Sequence, residues 1–240
     1  HSMDEVWKNT IEGKSGVSLI ERVNTTELAV KFAGEVKNFT IKEHLLSAKE
    51  APRYDLFIHY AMHAAEEALT QAGLVQDRNA YSAYRQGCIL GVGMGGFPLT
   101  EVEANTFRDK GPRRVSPFFI PSIIPNMASG MVSIHFGLKG SNYTVSSACA
   151  SASHALSIAA FEIESGRHDM VVTGGSESVI CYLPLCGFSN MKALSKNNEA
   201  PHEASRPFDT ARDGFVMGEG CGILVLEDLE KAKARGATIY

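Results

Sequence analysis

Apolar residues recur at helical spacing over residues 55–73, where Leu56, Ile58, Ala61, Ala64, Ala65, Ala68 and Leu69 share a stripe and Gly73 stands at the expected C′ position. That pattern predicts a helix. Short apolar runs over 86–93, 168–175 and 222–229 predict buried strands, and 142–147 reads as a further strand. Between them lie a polar segment, 99–108, and an alanine-rich one, 150–165, both predicted helical, and the charged stretch EDLEKAKARG predicts a last helix. Residues 28–39 alternate weakly and suggest a short strand pair or an extended loop. Strand and helix alternate without an internal repeat, which places the chain in the α/β class with a largely parallel sheet.

The start of the chain carries its own signal. Ser2 stands three residues before Glu5 and just ahead of Val6, Trp7 and Ile11, a capping box that opens an amphipathic helix stopping at Gly13. His1 is then at a helix entrance, and further sequence is expected upstream of it. Residues 112–125 form a proline-punctuated loop that carries Phe118, Phe119, Ile120, Ile123 and Ile124. So many large apolar groups in a loop need cover, and a partner subunit is a natural source.

Composition narrows the function classes. With 240 residues, 44% of them hydrophobic, the chain can build one large core or two small ones. The net charge of −4 is mild, and the basic residues are scattered except for the pair Arg113 and Arg114, which argues against a nucleic-acid surface. No apolar run is long enough to span a membrane and no secretory leader is visible, so a cytosolic or organelle-matrix setting is expected. Five cysteines without CxxC spacing fit neither a disulfide framework nor a zinc site. They are expected to be reduced thiols, with Cys88, Cys181, Cys186 and Cys221 buried in apolar surroundings.

Cys149 is different. It sits between a predicted strand and a helix rich in small residues, in TVSSACASASH, where unpaired backbone N–H groups and the helix dipole stabilise a thiolate and can hold an oxyanion. Ala148, Ala150, Ser151 and Ala152 leave room for a carbonyl to approach the sulfur. Spacing alone leaves open whether Cys149 is a nucleophile or a small residue on a buried helix face. His154, five positions on, lies roughly 140° round the helix from the sulfur, a poor direction for its base. The segment GVGMGG matches GxGxxG after a strand, yet Glu101, Glu103 and Asp109 fall in or beside the next helix rather than at the end of a second strand. Its glycines are expected to let the backbone pass close to a ligand or another segment. In SRPFDTARDGFVMGEG, Asp213 and Glu219 could form an acid/base pair, but an ion-paired structural loop accounts for them as well.

Six motifs together resemble one family: GVGMGG, GPRRVSPFFIPSIIPNMASG, VSSACASASHAL, DMVVTGGSES, CGFSNMKALS and SRPFDTARDGFVMGEG. Their order and spacing are similar to the β-ketoacyl-acyl carrier protein synthases, nearest to the dimeric elongating class (KAS I/II), over nearly the whole chain. The resemblance implies a thiolase-like fold, two similar α/β halves in five layers, of which residues 1–240 are the N-terminal domain, without its first strand and the C-terminal half. It implies a decarboxylative Claisen condensation in which Cys149 takes an acyl group from acyl carrier protein and malonyl-carrier protein supplies the carbanion, with the Cys149 N–H as an oxyanion donor. Two histidines and a lysine come from the second half in that family, so this chain by itself is expected not to condense.

By the same resemblance Met94 gates the acyl pocket, Phe119 reaches across a homodimer to close it, and Arg53, Arg113, Arg114 and Lys192 form or neighbour the basic rim that receives the carrier protein. Acyl and malonyl carrier protein and a second copy of the chain are the expected partners; no cofactor, metal, nucleic acid or membrane is expected. Ala152, where many relatives have glycine, and Tyr54, where the rim is thinner, depart from the pattern. A polyketide-type ketosynthase and a non-catalytic dimerisation or acyl-binding module are the competing readings.

Overall fold

Four strands, two of them with every residue buried or half-buried, build the sheet on which the larger part of the chain is organised. The computed structural model describes residues 2–240, so His1 and its predicted place at a helix entrance lie outside it. In chain order the elements are α1 (Met3–Ile11), β1 (Ser18–Leu19), β2 (Phe32–Ala33), α2 (Leu56–Gln71), β3 (Gln86–Gly91), α3 (Phe97–Lys110), α4 (Phe119–Ile123), α5 (Met127–Phe136), β4 (Asn142–Val145), α6 (Ser151–Glu164), β5 (Met170–Glu177), α7 (Tyr182–Asn190), β6 (Gly220–Glu227) and α8 (Leu229–Ala234). The Ser2 side of the predicted capping box is made, since Ser2 Oγ accepts the Glu5 N–H at 3.3 Å.

The chain divides into two compact units. One comprises Ile41–Gly96, Pro117–Glu177 and Cys221–Tyr240; the other comprises the chain up to Thr40, Phe97–Ser116 and Ser178–Gly220.

The first of these holds the sheet, in the order β4-β3-β5-β6, with β3 parallel to both β4 and β5. All six residues of β3 are buried, as a central parallel strand covered on both faces requires. Along β3 and β5 the side chains alternate. Ile89 and Val171 pack with Ala155 and Ala159 of α6, while Ser176 Oγ turns the other way and donates to the Phe57 carbonyl of α2 at 2.6 Å. Helix α6 therefore covers one face, and α2 and α5 the other. Helix α2 buries Phe57, Ile58, Ala61, Met62, Ala65 and Leu69, close to the predicted stripe, and Gly73 has the left-handed φ of 75° that its C′ place demands.

Two helices here were not legible as patterns. Helix α5 buries Ser129 and Ser133 beside Ala128 and Val132, so its inward face does not look apolar; Asn142 donates to the Ser129 carbonyl at 2.9 Å and accepts the Ser129 hydroxyl at 3.1 Å, which satisfies the buried groups. The predicted loop 112–125 instead contains a 3₁₀ turn, Pro112–Arg114, and α4. Pro112 opens the first and Pro121 sits within the first turn of the second, where a missing N–H costs no helical bond.

The other unit pairs β1 with β2 antiparallel, Ser18 opposite Ala33; only β2 falls within 28–39, and its partner strand comes from residues 18–19 rather than from the same stretch. Helix α3 packs on α7, unassigned from sequence. Glu101 of α3 accepts the N–H groups of Tyr182, at 3.1 Å, and of Leu183 at the start of α7, a carboxylate placed where orphan donors and the helix dipole favour it.

Candidate active site

Between β4 and α6 the chain turns sharply. Ala148 has φ 52° although it is not glycine, a conformation that costs on the order of 1–3 kcal/mol and persists only when its surroundings hold it. They do hold it. Ser151 Oγ accepts the Ser147 N–H at 2.9 Å and donates to the Ala148 carbonyl at 2.6 Å, and Ser147 Oγ meets His154 Nδ1 at 2.7 Å. Cys149 is exposed at the tip of this elbow, just before the start of a 14-residue helix whose N-cap, Ala150, supplies no side-chain acceptor. The Ala150 and Ser151 N–H groups turn back to the Ser147 and Ala148 carbonyls at 3.2 and 3.1 Å, and the dipole of α6 favours negative charge that develops beside this end. His154, turned to Ser147, is a tie of the elbow.

The other thiols contrast with it. Cys88 and Cys181 are buried, as expected, but Cys186 and Cys221 are only partly so. Burial pushes the Cys88 and Cys221 thiols up to about 12.

The elbow can sit so close to the sheet because two residues beneath it lack side chains. A Cβ on Gly91 would lie 2.3 Å from the Ser151 carbonyl carbon and 2.4 Å from the Ala152 nitrogen, and one on Gly175 would lie 2.6 Å from the Ala152 Cβ. Gly91 and Gly175 are opposite one another across β3 and β5. The methyl of Ala152, which departs from the family pattern, fits because residue 175 is glycine.

Beyond Gly91 the glycine motif forms a turn, not a nucleotide cradle. The N–H groups of Gly93, Met94 and Gly95 donate to the Glu177 carboxylate at 2.8, 3.0 and 3.1 Å. Burial raises the Glu177 pKa and these three N–H groups oppose the rise. The Gly93 carbonyl accepts Ser146 Oγ at 3.1 Å, and Gly96 N–H donates to the Ile123 carbonyl of α4 at 3.0 Å. Close passage of the backbone is what the glycines permit. Met94 is half-buried on this turn, whose neighbouring Gly93 and Gly96 bond to Ser146 before the elbow and to Ile123 of α4, the helix that Phe119 opens. Sequence reasoning missed Glu177; its signal was an acidic residue ending a buried strand at the carboxyl edge of a parallel sheet, where α/β sites form.

Arg53 ends a 3₁₀ turn with its guanidinium 4.3 Å from the centre of the Phe118 ring, so part of its cationic face is occupied by a cation–π contact. In the other unit Arg113 and Arg114 are exposed on their 3₁₀ turn, and Lys192 is exposed just after α7 with φ 58°. Asp213 and Glu219, also there, are tied down. Glu219 receives Arg22 through two bonds of 2.7 Å, the Val36 N–H at 2.9 Å and the Ser178 hydroxyl at 2.9 Å. Asp213 accepts the Ser195 hydroxyl at 2.7 Å and the Lys196 N–H at 3.0 Å, which with Arg206 hold its pKa down. They are the structural, ion-paired loop.

A family model described as the N-terminal domain of beta-ketoacyl synthase matches residues 1–232. The chain is 47% identical over 234 residues to 3-oxoacyl-(acyl-carrier-protein) synthase 2 of Staphylococcus aureus, covering 98% of this chain and 57% of that protein. It is 45% identical over 240 residues to the Vibrio cholerae protein of the same name, covering 100% of this chain and 57% of that one. A crystal structure of a beta-ketoacyl synthase from Burkholderia phymatum superposes with a TM-score of 0.87 at 32% identity, over 98% of this chain and 57% of the other. AntDE:AntF, a type II polyketide synthase acyl-carrier protein in complex with its ketosynthase bound to the hexaketide, gives 0.84 at 31% identity over 100% of this chain and 57% of the other. The chain spans a little over half the length of the relatives it matches.

Proposed function

The chain belongs to the β-ketoacyl synthase family and has its thiolase-like α/β fold, and from that premise we propose that it is the nucleophile-bearing N-terminal domain of a 3-oxoacyl-acyl carrier protein synthase of fatty-acid elongation. The observation that carries the proposal is the exposed Cys149 on its strained elbow at the head of α6. Its thiolate attacks the thioester carbonyl of acyl-carrier protein, and the oxyanion is held by the Cys149 N–H together with the positive end of α6. Collapse expels the carrier thiol and leaves the acyl group on sulfur. Malonyl-carrier protein then loses carbon dioxide, and its carbanion attacks the acyl-cysteine to give the 3-oxoacyl-carrier protein and regenerate the thiol.

The second step is assigned to two histidines and a lysine of a C-terminal half, so residues 1–240 are proposed as one incomplete domain. Large apolar groups such as Phe161, 63% exposed, support a covering partner of this kind. Met94 lines the acyl pocket in this reading, Arg53, Arg113, Arg114 and Lys192 receive the acidic carrier, and two copies form a homodimer in which Phe119 reaches across to close the pocket. The setting is cytoplasmic or an organelle matrix; no helix among the described residues is long and apolar enough to cross a membrane. Higher identity to the fatty-acid synthases, 47%, than to the polyketide ketosynthase, 31%, favours elongation over polyketide assembly.

The test is to incubate the full-length protein with acyl-carrier protein and map the acyl group by mass spectrometry. The expected adduct is on Cys149 and is lost in Cys149→Ala along with condensation. Acylation elsewhere, or condensation that survives the substitution, overturns the proposal.

A further inference from the structure

Glu177 ends β5 with a carboxylate that three consecutive backbone N–H groups share. Gly93 and Met94 donate to Oε2 at 2.8 and 3.0 Å, and Gly95 donates to Oε1 at 3.1 Å. Strand register explains the meeting. Gly91 is opposite Gly175 in the ladder between β3 and β5, and two residues further along each chain the same face carries Gly93 and Glu177. A Cβ on Gly93 would lie 2.7 Å from Glu177 Oε2 and 3.5 Å from the Ala148 carbonyl oxygen. The turn is therefore wedged between the carboxylate and the residue that precedes the nucleophile. Its far end is pinned as well, because a Cβ on Gly95, at φ 74°, would lie 2.8 Å from the Ile123 carbonyl oxygen of α4.

We propose that Glu177 is a positioning residue for acyl-chain selection, which fixes the turn 93–95 and thereby the direction in which Met94 enters the pocket beside Cys149. The proposal rests on the reading that Met94 lines that pocket. A turn of glycines has little rigidity of its own, so a defined Met94 position needs an external anchor, and a carboxylate is the side chain suited to three adjacent donors. Its two oxygens accept all three bonds. A glutamine offers one oxygen and points an N–H₂ group at a donor, and an aspartate is one methylene too short. Burial raises the Glu177 pKa while the three N–H groups stabilise its anion, so the anchor is made at a cost that a scaffold without a task would not need.

The experiment measures Cys149 acylation in the full-length enzyme against carrier-bound acyl chains of increasing length, for the wild type, Met94→Ala, Met94→Phe, Glu177→Gln and the double variant Met94→Ala/Glu177→Gln. Met94→Phe is expected to shorten the profile and Met94→Ala to lengthen it. Glu177→Gln is expected to blunt the cut-off, changing the long-to-short rate ratio by roughly tenfold, the scale on which pockets discriminate a methylene. In the Met94→Ala background it should add nothing. If the Met94 variants move the profile and Glu177→Gln lowers all lengths equally or none, the positioning role is overturned and the Met94 reading stands. If no variant changes the profile, the Met94 reading fails first and takes this proposal with it. Amide exchange over 92–96 is a second measure, expected to accelerate at least about tenfold in Glu177→Gln while β3 and β5 stay protected; unchanged exchange overturns the anchor. Should Glu177→Gln not fold, Glu177→Asp keeps the charge and carries the same two expectations.

Discussion

Thiol chemistry in this chain is decided by position within a few ångströms. Cys149 stands exposed just before the start of α6, whereas burial pushes Cys88 and Cys221 up to about 12. A thiol at that level carries almost no thiolate at neutral pH. Brief iodoacetamide treatment at pH 7 followed by peptide mapping is therefore expected to label Cys149 ahead of the other four, and preferential labelling of Cys88 or Cys221 would contradict the assignment of the nucleophile. Tyr81 makes a second residue-scale case. Burial, then its 2.6 Å bond to Glu227, raises it from 10.0 to about 12. Because the folded state holds this proton more tightly than the unfolded chain, the associated stability is complete below about pH 10 and is lost as pH rises towards 12. Denaturation midpoints over pH 9–12 should fall more steeply for the wild type than for Tyr81→Phe, and parallel slopes would show that the pair contributes nothing.

At the scale of elements, α6 is held against β3 and β5 at a distance only glycine allows. In Gly91→Ala the new Cβ would meet main-chain atoms of Ser151 and Ala152 at 2.3–2.5 Å, and main chain cannot rotate aside as a side chain can. The helix has to move, with its elbow. Overpacking of this kind costs about 1–3 kcal/mol, and displacement of a reacting group by about 1 Å can cost a hundredfold in rate. Gly91→Ala is thus expected to lower the melting temperature by several degrees and Cys149 acylation by at least about tenfold; wild-type acylation would mean that the helix position does not set reactivity. The inward serines of α5, paired through Asn142, show the same dependence on a partner element.

For the whole molecule the question raised by the proposed function is how an acidic carrier would find the site. Arg113 and Arg114 are the only adjacent basic pair in the sequence and both are exposed, so they can steer a negatively charged partner without first breaking a buried contact. Reversing both to glutamate in the full-length protein is expected to weaken carrier-dependent turnover by roughly tenfold, about 1.4 kcal/mol, while sparing a small thioester that needs no carrier. A parallel fall in both activities would mark the arginines as structural, and no fall in either would place docking elsewhere.

What the sequence determined by itself was whatever one segment can express alone. The stripe of α2, the buried runs of β3 and β5, the helix after Cys149 and the motifs that name the family are all local, because burial of one face imposes a period on consecutive residues. Register between strands imposes no such period. That Gly91 meets Gly175, that Glu177 closes on a turn 82 to 84 residues earlier, that Glu219 answers Arg22 from 197 residues away, and that serines can line the inside of α5 are consequences of which segments become neighbours. Only the tertiary structure decides those, since a buried polar group is stable where its partner stands and nowhere else.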